Sequence, residues 1–400
     1  MGPSRCDVDI RSTASSVITA HALHDQAPER PLRVGLIAPP WVPVPPPVYG
    51  GTELVIDLLA RGLVEAGHHV VLFSTGDATC PVDRRWRYPR ALGTTADFVA
   101  ELAHVETAYR AMADVDIIHD HTMTGPTWAE LPPEGTPVVT TVHGPFTAEF
   151  RHLYATAARR GARLIAISHH QRRSAPEVPI AGIIHHGVDV NTIPVGDGDG
   201  GYVLFLGRMH PDKGAHRAIA AARAAGRQIV LAAKMWEPAE RRYFAERVEP
   251  MLGRDAVYVG ECGAEEKLEL LRGADALVNP IRWPEPFGLV MAEALACGTP
   301  VVAFREGAAP EIIDHGSTGF LCMDQDELAA NLSRIGEIKR STCRAAAESR
   351  FSTQRMVNDH MSLYRPLATA ITDAASGHPC IPGMAIGSSR SRRSEHVSCR

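Results

Sequence analysis

The run Trp283-Pro284-Glu285-Pro286-Phe287-Gly288-Leu289-Val290-Met291-Ala292-Glu293 sets two carboxylates eight residues apart across what reads as a loop entering a helix. Pro286 suits a first helical turn and Gly298 suits the residue just past the end. A helix beginning near Phe287 puts Glu285 at its mouth and Glu293 about two turns in. The first-turn N–H groups of such a helix point outward beside the positive end of its dipole, and together they form an anion site. A carboxylate beside an anion site is awkward unless both serve one ligand with an anionic part and a hydroxyl-rich part, as a nucleotide sugar has. The same pair also fits an amphipathic helix with a solvated glutamate at each end.

A second group of charges lies in Gly207-Arg208-Met209-His210-Pro211-Asp212-Lys213-Gly214, which follows the apolar run Tyr202–Leu206. Arg208 offers phosphate oxygens a planar fork and Lys213 a mobile point charge. The loop is no Walker A motif, because the G-x-x-x-x-G-K-[ST] spacing is missing. Two loop cations alone also fit a soluble surface. Coupled to Phe287 and Gly288 at the helix mouth, they outline a pocket for a diphosphate.

The elements that must position these residues alternate along the chain. The run Leu32–Ala38 reads as a strand, Pro39–Pro47 as a stiff proline-rich loop, and Gly50-Gly51 as the entry to a helix capped by Thr52, with Leu54, Val55, Leu58, Leu59 and Leu63 on its 3.6-residue period. The proline-rich loop would also suit an SH3-like partner. After Gly67 comes the strand His68–Ser74, completing a βαβ unit. Residues 116–119, 137–142 and 163–168 read as further buried parallel strands whose polar ends face a ligand edge. Beyond the glycine-aspartate run 196–201 the alternation restarts at 202–206, 228–232, 257–259, 276–278 and 300–304. This predicts an α/β chain of two Rossmann-like domains. The expected order is a leader at 1–30, a first domain at 31–195, a hinge at 196–201, a second domain at 202–370 whose last helix returns to the first, and a Ser/Gly/Arg-rich tail at 371–400 with the composition of a disordered segment.

Composition excludes several classes. Four hundred residues exceed one hydrophobic core, and a net charge of −5 gives no general footprint for nucleic acid. Arg159, Arg160, Arg163, Arg172 and Arg173 form a local basic cluster, read as a solvated helix face or a patch for an anionic acceptor or a lipid headgroup; it leaves room for weak peripheral membrane contact. The eight cysteines show no C-x-x-C pair. No apolar run approaches the roughly 18–20 residues of a membrane span, and the charged N-terminus does not read as a secretory signal. A cytoplasmic location is expected. The sequence carries no indication of oligomeric state.

The ordered motifs resemble the family 4 glycosyltransferases, retaining enzymes of the GT-B fold. The matching residues are Gly50-Gly51, Asp116 to His121, Thr141-Val142-His143-Gly144, Gly207-Arg208 with Lys213-Gly214, Glu285 through Glu293, Gly298 to Ala303, and Glu311 with Gly316 and Gly319. The resemblance spans roughly residues 32–365. It implies two domains facing each other across a deep cleft, an acceptor side in the first and a nucleotide-sugar donor side in the second. Arg208 and Lys213 would hold the donor diphosphate and stabilise the leaving group. Phe287, Gly288 and Leu289 would bring the helix mouth and its N–H donors to the donor, Glu293 would take ribose hydroxyls and Glu285 donor sugar hydroxyls. Gly50 and Gly51 would approach the donor from the opposite wall. His143 would face the cleft near the donor sugar, as a positioning group or a proton acceptor, whereas His119 and His121 fit a structural or a functional role. The implied transfer of a hexose-type sugar is front-side and needs no metal or other cofactor. Asp197-Gly198-Asp199 has a metal-motif spacing but reads as linker. UDP is the first expectation for the donor and GDP the second. The acceptor, a glycan, a lipid-linked sugar or a small molecule, is not encoded legibly; Trp41, Tyr49, Trp128 and Phe146 are stacking candidates. The alternatives are a nucleotide-sugar isomerase or epimerase of the same fold and a non-catalytic nucleotide-sugar-binding scaffold. A Rossmann dehydrogenase is disfavoured because no G-x-G-x-x-G follows either opening strand.

Overall fold

Short apolar runs rich in Val, Ile and Leu, each ending in polar residues, form parallel strands buried on both faces. In the computed structural model, which describes residues 30–48, 50–93, 97–128, 133 and 135–375, they build two sheets. The first holds β1 (Arg33–Ile37), β2 (His69–Ser74), β3 (Asp83–Trp86), β4 (Ile117–Asp120), β5 (Val138–Thr141), β6 (Arg163–Ala166) and β7 (Ile180–Ile183), in the order β3-β2-β1-β4-β5-β6-β7. The second holds β8 (Tyr202–Arg208), β9 (Gln228–Lys234), β10 (Ala256–Gly260), β11 (Ala276–Asn279), β12 (Val301–Phe304) and β13 (Gly319–Cys322), in the order β10-β9-β8-β11-β12-β13. Every paired strand runs parallel to its neighbour, with Val34 opposite Ile117 and Leu277 opposite Leu204 at the two places where strand order reverses. The loops after β1 and β4, and after β8 and β11, therefore open at switch points, where open α/β sheets bind ligands. This is the α/β, two-sheet GT-B arrangement.

Three strands carry no apolar signal long enough to be expected from sequence. β3 is the polar edge segment Asp83-Arg84-Arg85-Trp86, β7 is interrupted by Gly182, and β13 sits in a turn-rich stretch. Two helix starts also differ. The opening helix spans Gly51–Glu65 with Gly50 at its cap position, so Thr52 lies inside it and does not cap. The mouth helix spans Leu289–Ala296, beginning after Phe287, because Gly288 takes a left-handed φ of 90° that no continuing helix allows. Pro286 thus stays in the loop, and Glu293 is the fifth helical residue. Gly298, with φ of 75°, follows the helix end as the sequence indicates.

The segment 196–201 is not a free linker. Gly196 donates to the Cys297 carbonyl at 3.0 Å and Gly198 to that of Arg272 at 3.1 Å. Arg340 then spreads its guanidinium over the carbonyls of Gly196, Ala274 and Arg272 at 2.7–3.0 Å. A fork with five donors satisfies several otherwise unpaired loop acceptors at once.

The last helix, Thr353–Ala375, runs past the composition change at residue 371. Its Met356, Val357, Met361, Tyr364 and Ala368 join the core formed by β1 and the opening helix, not the core under the second sheet. Val357 fits against Gly62, where an added Cβ would lie 2.7 Å from it. Full burial of each large apolar side chain contributes roughly 1.5–3 kcal/mol, and this helix ties both sheets into one compact unit from Leu32 onward. The leader, Tyr49 and the tail after residue 375 lie outside the described residues.

Polar contacts also anchor that helix: Arg355 donates to the carbonyls of His185 and His186 at 2.8 and 3.0 Å, and the fully buried Tyr364 hydroxyl lies 2.6 Å from Nδ1 of the fully buried His119. Tyr364→Phe removes the hydroxyl and leaves a buried ring nitrogen without its partner, so urea unfolding should show a loss of about 1–3 kcal/mol. Unchanged stability would mean that the Tyr364–His119 contact adds nothing to the hold on this helix.

Candidate active site

The loop between β11 and the mouth helix is fixed by backbone before any side chain acts. Glu285 N–H donates to the Trp283 carbonyl at 2.7 Å, and Ala308 N–H donates to the Glu285 carbonyl at 3.0 Å. Gly307, with φ of 58°, allows this approach, since an added Cβ there would sit 2.5 Å from Glu285 O. The loop after β8 is fixed in turn by Arg217, which donates to the carbonyls of Pro280, Pro211 and Asp212 at 2.9–3.1 Å.

These two loops bring Lys213 and Glu285 into a direct ion pair. The Trp283 indole N–H donates to the same Glu285 oxygen at 2.7 Å, and Lys213 Nζ lies 5.2 Å from the centre of the Trp283 ring. A second pair joins Glu293 Oε1 to Lys267 Nζ at 2.5 Å. Gly50, Gly51, Lys213, Lys267, Glu285, Gly288, Leu289 and Glu293 all line one cavity of about 240 Å³. The structure thus gathers glycines from the first sheet with charges and a helix mouth from the second. Within the mouth helix, Met291 N–H turns back to the Gly288 carbonyl at 2.9 Å. The N–H groups of Leu289 and Val290 are the ones a helix leaves without intrahelical partners, beside the positive dipole end.

Three expected site residues do not line that cavity. Arg208 closes β8 and sets its Nε 3.8 Å from the fully buried carboxylate of Glu240. Phe287 is buried, with ring centres 5.2 Å from His186 and 6.0 Å from Phe351. His143 is half-buried and joins a run of histidines instead: its Nε2 lies 2.9 Å from His121 Nδ1, and its ring centre lies 5.1 Å from that of His186. The His119 ring centre lies 4.0 Å from that of His121, the rings tilted by 40°, and its Nε2 bonds Thr141 Oγ1 at 2.7 Å. The run therefore reaches from the last helix to Phe287 beside the helix mouth. Of the stacking candidates, Trp41 and Phe146 are buried and Trp128 is half-buried.

Sequence reasoning missed Lys267 and Glu53 and named Glu311 without giving it a role. Lys267, inside a charged helical run, has no local signal marking it as the partner of Glu293. Glu53, buried in the first turn of the opening helix, has its carboxyl pushed up to about 7 by burial. Glu311, a motif residue, acts between the sheets: it accepts from the backbone N–H of His169 and His170 at 2.8 and 2.5 Å and pairs with His185 Nε2 at 2.9 Å. Part of the basic cluster is engaged there, with Arg173 at 3.7 Å from Glu311. Among the described residues, no three His, Cys, Asp or Glu side chains converge to hold a metal ion, no helix is long and apolar enough to cross a membrane, and Cys80, Cys262, Cys297, Cys322 and Cys343 are free thiols.

Residues 49–192 match the family described as "Glycosyltransferase Family 4", and residues 194–350 match "Glycosyl transferases group 1". The chain belongs to the family 4 glycosyltransferases. It is 28% identical over 355 residues to the phosphatidyl-myo-inositol mannosyltransferase of Mycolicibacterium smegmatis, covering 80% of this chain and 88% of that one. It is 31% identical over 163 residues to the glycogen synthase of Mycobacterium tuberculosis H37Rv, covering 39% of this chain and 38% of that enzyme. The aligned stretch is thus less than half the length of that relative. A glycosyltransferase involved in avilamycin A biosynthesis superposes with a TM-score of 0.64 at 29% identity, covering 85% of this chain and 99% of that one.

The family 4 chain hides an unusual number of neutral bases. Burial lowers His104 and His360 to about 4 and His143 to about 3, and it holds His119, His121 and His186 well below their ordinary range. A base held neutral in the fold binds fewer protons than in the unfolded chain, so its contribution is complete above about pH 6.5 and drains as pH falls. Glu53 and Asp120, both raised to about 7 by burial, and Glu101, also raised by burial, work in the opposite sense, since acidification favours their folded form. Six histidines outweigh three acids, so the melting temperature should fall from pH 7 toward pH 5. A melting temperature that rises over that range would contradict the neutral burial of the histidine run.

Proposed function

We propose that the chain transfers a hexose-type sugar from a nucleotide-diphosphate sugar to an acceptor hydroxyl, with retention at the anomeric carbon and without a metal ion. The observation that carries this reading is the Lys213–Glu285 pair set beside the mouth of the helix Leu289–Ala296, in one cavity with Gly50 and Gly51. An ammonium has three N–H donors, so Lys213 can keep Glu285 and still meet a phosphate oxygen. The Leu289 and Val290 N–H groups add fixed dipoles where the leaving diphosphate gains charge. Preorganised donors of this kind are usually the largest catalytic term.

In the reaction, the bond between the anomeric carbon and the diphosphate oxygen breaks while the acceptor oxygen bonds on the same face. The acceptor proton passes to the departing phosphate oxygen, so no protein base is required. Glu285 orients sugar hydroxyls, and Glu293, steadied by Lys267, takes the ribose hydroxyls. Arg208 supports the diphosphate end through charge rather than by lining the cavity. His143 serves as a positioning group, since a ring held neutral by burial is a weak proton acceptor. The donor is a UDP- or GDP-sugar, and the acceptor is a glycan, a lipid-linked sugar or a small molecule read by the loops of the first sheet. Matches to glycosyltransferase families across both halves of the chain leave the isomerase and scaffold alternatives unfavoured.

Lys213→Ala should raise the transfer barrier by roughly 2.7–4 kcal/mol, the range seen for loss of one oxyanion-type donor. Single-turnover rates near wild type would remove Lys213 from leaving-group stabilisation. Glu293→Ala should weaken nucleotide binding in calorimetry while leaving the fold intact; equal affinity would take it out of the ribose site. Transfer is expected to survive exhaustive EDTA treatment, and abolition by the chelator would rule out the metal-free route.

A further inference from the structure

The cavity extends well past the two ion pairs. Its lining crosses the C-terminal ends of the second sheet in spatial order: Asn279 on β11, Phe205 to Gly207 on β8, Ala232 to Lys234 on β9, then Glu261 and Cys262 just after β10. Under the reading above, which this inference rests on, the diphosphate lies at Lys213 and Gly288 and the ribose at Glu293. The base must then lie toward β9 and β10, with Lys234 and Glu261 as the charged groups there.

Glu261 is not committed to a salt bridge among the described residues. Its Oε2 accepts the Trp236 indole N–H at 2.7 Å, and its Oε1 is shielded from solvent with no hydrogen-bond partner. The Lys234 ammonium sits 4.0 Å from the centre of the Trp236 ring, so lysine, indole and carboxylate form one cluster. An ionised carboxylate only accepts hydrogen bonds, through two oxygens with about four lone-pair positions. A shielded acceptor without a donor is costly, and a ligand donor that reaches it is strongly favoured.

The bases differ in what they offer such a group. Guanine presents two adjacent donors, N1–H and the exocyclic N2–H, with the O6 acceptor beside them for an ammonium. Uracil presents one N–H between two carbonyl oxygens, which a carboxylate repels. Adenine and cytosine each present one amino group beside a ring-nitrogen acceptor. We infer that Glu261 selects guanine at the base end of this cavity, making the donor a GDP-sugar and reversing the order of preference drawn from the sequence. The remaining lone pairs of Glu261 take the two guanine N–H groups, and Lys234 provides the donor for O6.

Calorimetric titration of the full chain with GDP, UDP and ADP tests this directly. Wild type should bind GDP at least tenfold more tightly than UDP or ADP. Glu261→Gln keeps an amide oxygen for Trp236 but loses one acceptor, so its GDP affinity should drop about 10- to 100-fold, the span of one bidentate base contact. Its UDP affinity should not change. Glu261→Asp, which keeps the charge and shortens the reach, controls for folding and should fall between the two. Tightest binding of UDP or ADP by wild type would overturn the guanine assignment while leaving the nucleotide-sugar reading intact. Unchanged GDP affinity in Glu261→Gln would overturn the role of Glu261. Binding of none of the three would overturn the nucleotide reading itself and this inference with it.

Discussion

The candidate site depends on charge compensation within the cavity. Lys213 with Glu285 and Lys267 with Glu293 are largely shielded from solvent, and a half-buried carboxylate without a cation would be strongly disfavoured. Each pair joins two elements that are distant in sequence, so satisfying the charges also fixes where the loops stand. The loop after β8 must meet the loop after β11, and the helix after β10 must lie against the mouth helix. Gly307 and the Glu285–Ala308 hydrogen bond then lock the loop that carries the key carboxylate. Under the proposed function, a donor entering this site exchanges or shares partners that are already ordered, so little reorganisation is needed when charge moves.

The first sheet contributes in a different currency. Its strand ends near the cleft carry histidines held neutral, packed ring to ring, and pinned from behind by Tyr364 of the last helix. A neutral imidazole adds polarity and shape without adding a charge beside a cavity that already balances three lysines against three glutamates. Because the pinning helix follows the second sheet in sequence, the shape of the first sheet's ligand edge depends on the chain being threaded to its end. Glu311 adds a second tie, from the second sheet's side to the backbone at His169 and His170. The two halves are thus joined by a helix and a carboxylate clamp, and not by the glycine-rich segment alone, which Arg340 holds against the second half.

Much of this was legible in the sequence because buried parallel strands announce themselves. Runs such as Val34 to Ile37 and Val301 to Phe304 are almost wholly apolar and are followed by loop residues, so their position and the sense of their ligand edge could be read directly. Strands without that signature, such as Asp83-Arg84-Arg85-Trp86, form only because a neighbouring edge is available, and nothing local encodes them. The glycines and carboxylates of the site were visible because their types and order are unusual together. Their partners were not. Lys267 and Trp283 acquire meaning only once two loops meet, and Arg208 and Phe287 are drawn away from the cavity by Glu240 and by the His186–Phe351 cluster. The start of the mouth helix was misjudged by the same kind of effect, since the left-handed turn at Gly288 serves tertiary placement, not helix propensity.

The ends of the cavity also differ in chemistry, and that difference follows from the strand order. At β8 and β11, where order reverses, loops splay apart and a helix mouth is exposed, so the groups gathered there are cations and backbone donors suited to an anion. Toward β10 the strands run side by side without reversal, and the cavity is lined there by Lys234 and Glu261, with Trp236 held between them. Backbone donors recognise any diphosphate equally well. Under the proposed function, selection among nucleotides therefore falls to the other end, where one carboxylate can reward or reject a base edge. The reacting end can stay constant while the selective end varies, which is how one fold supports many donors without altering the machinery that stabilises the leaving group.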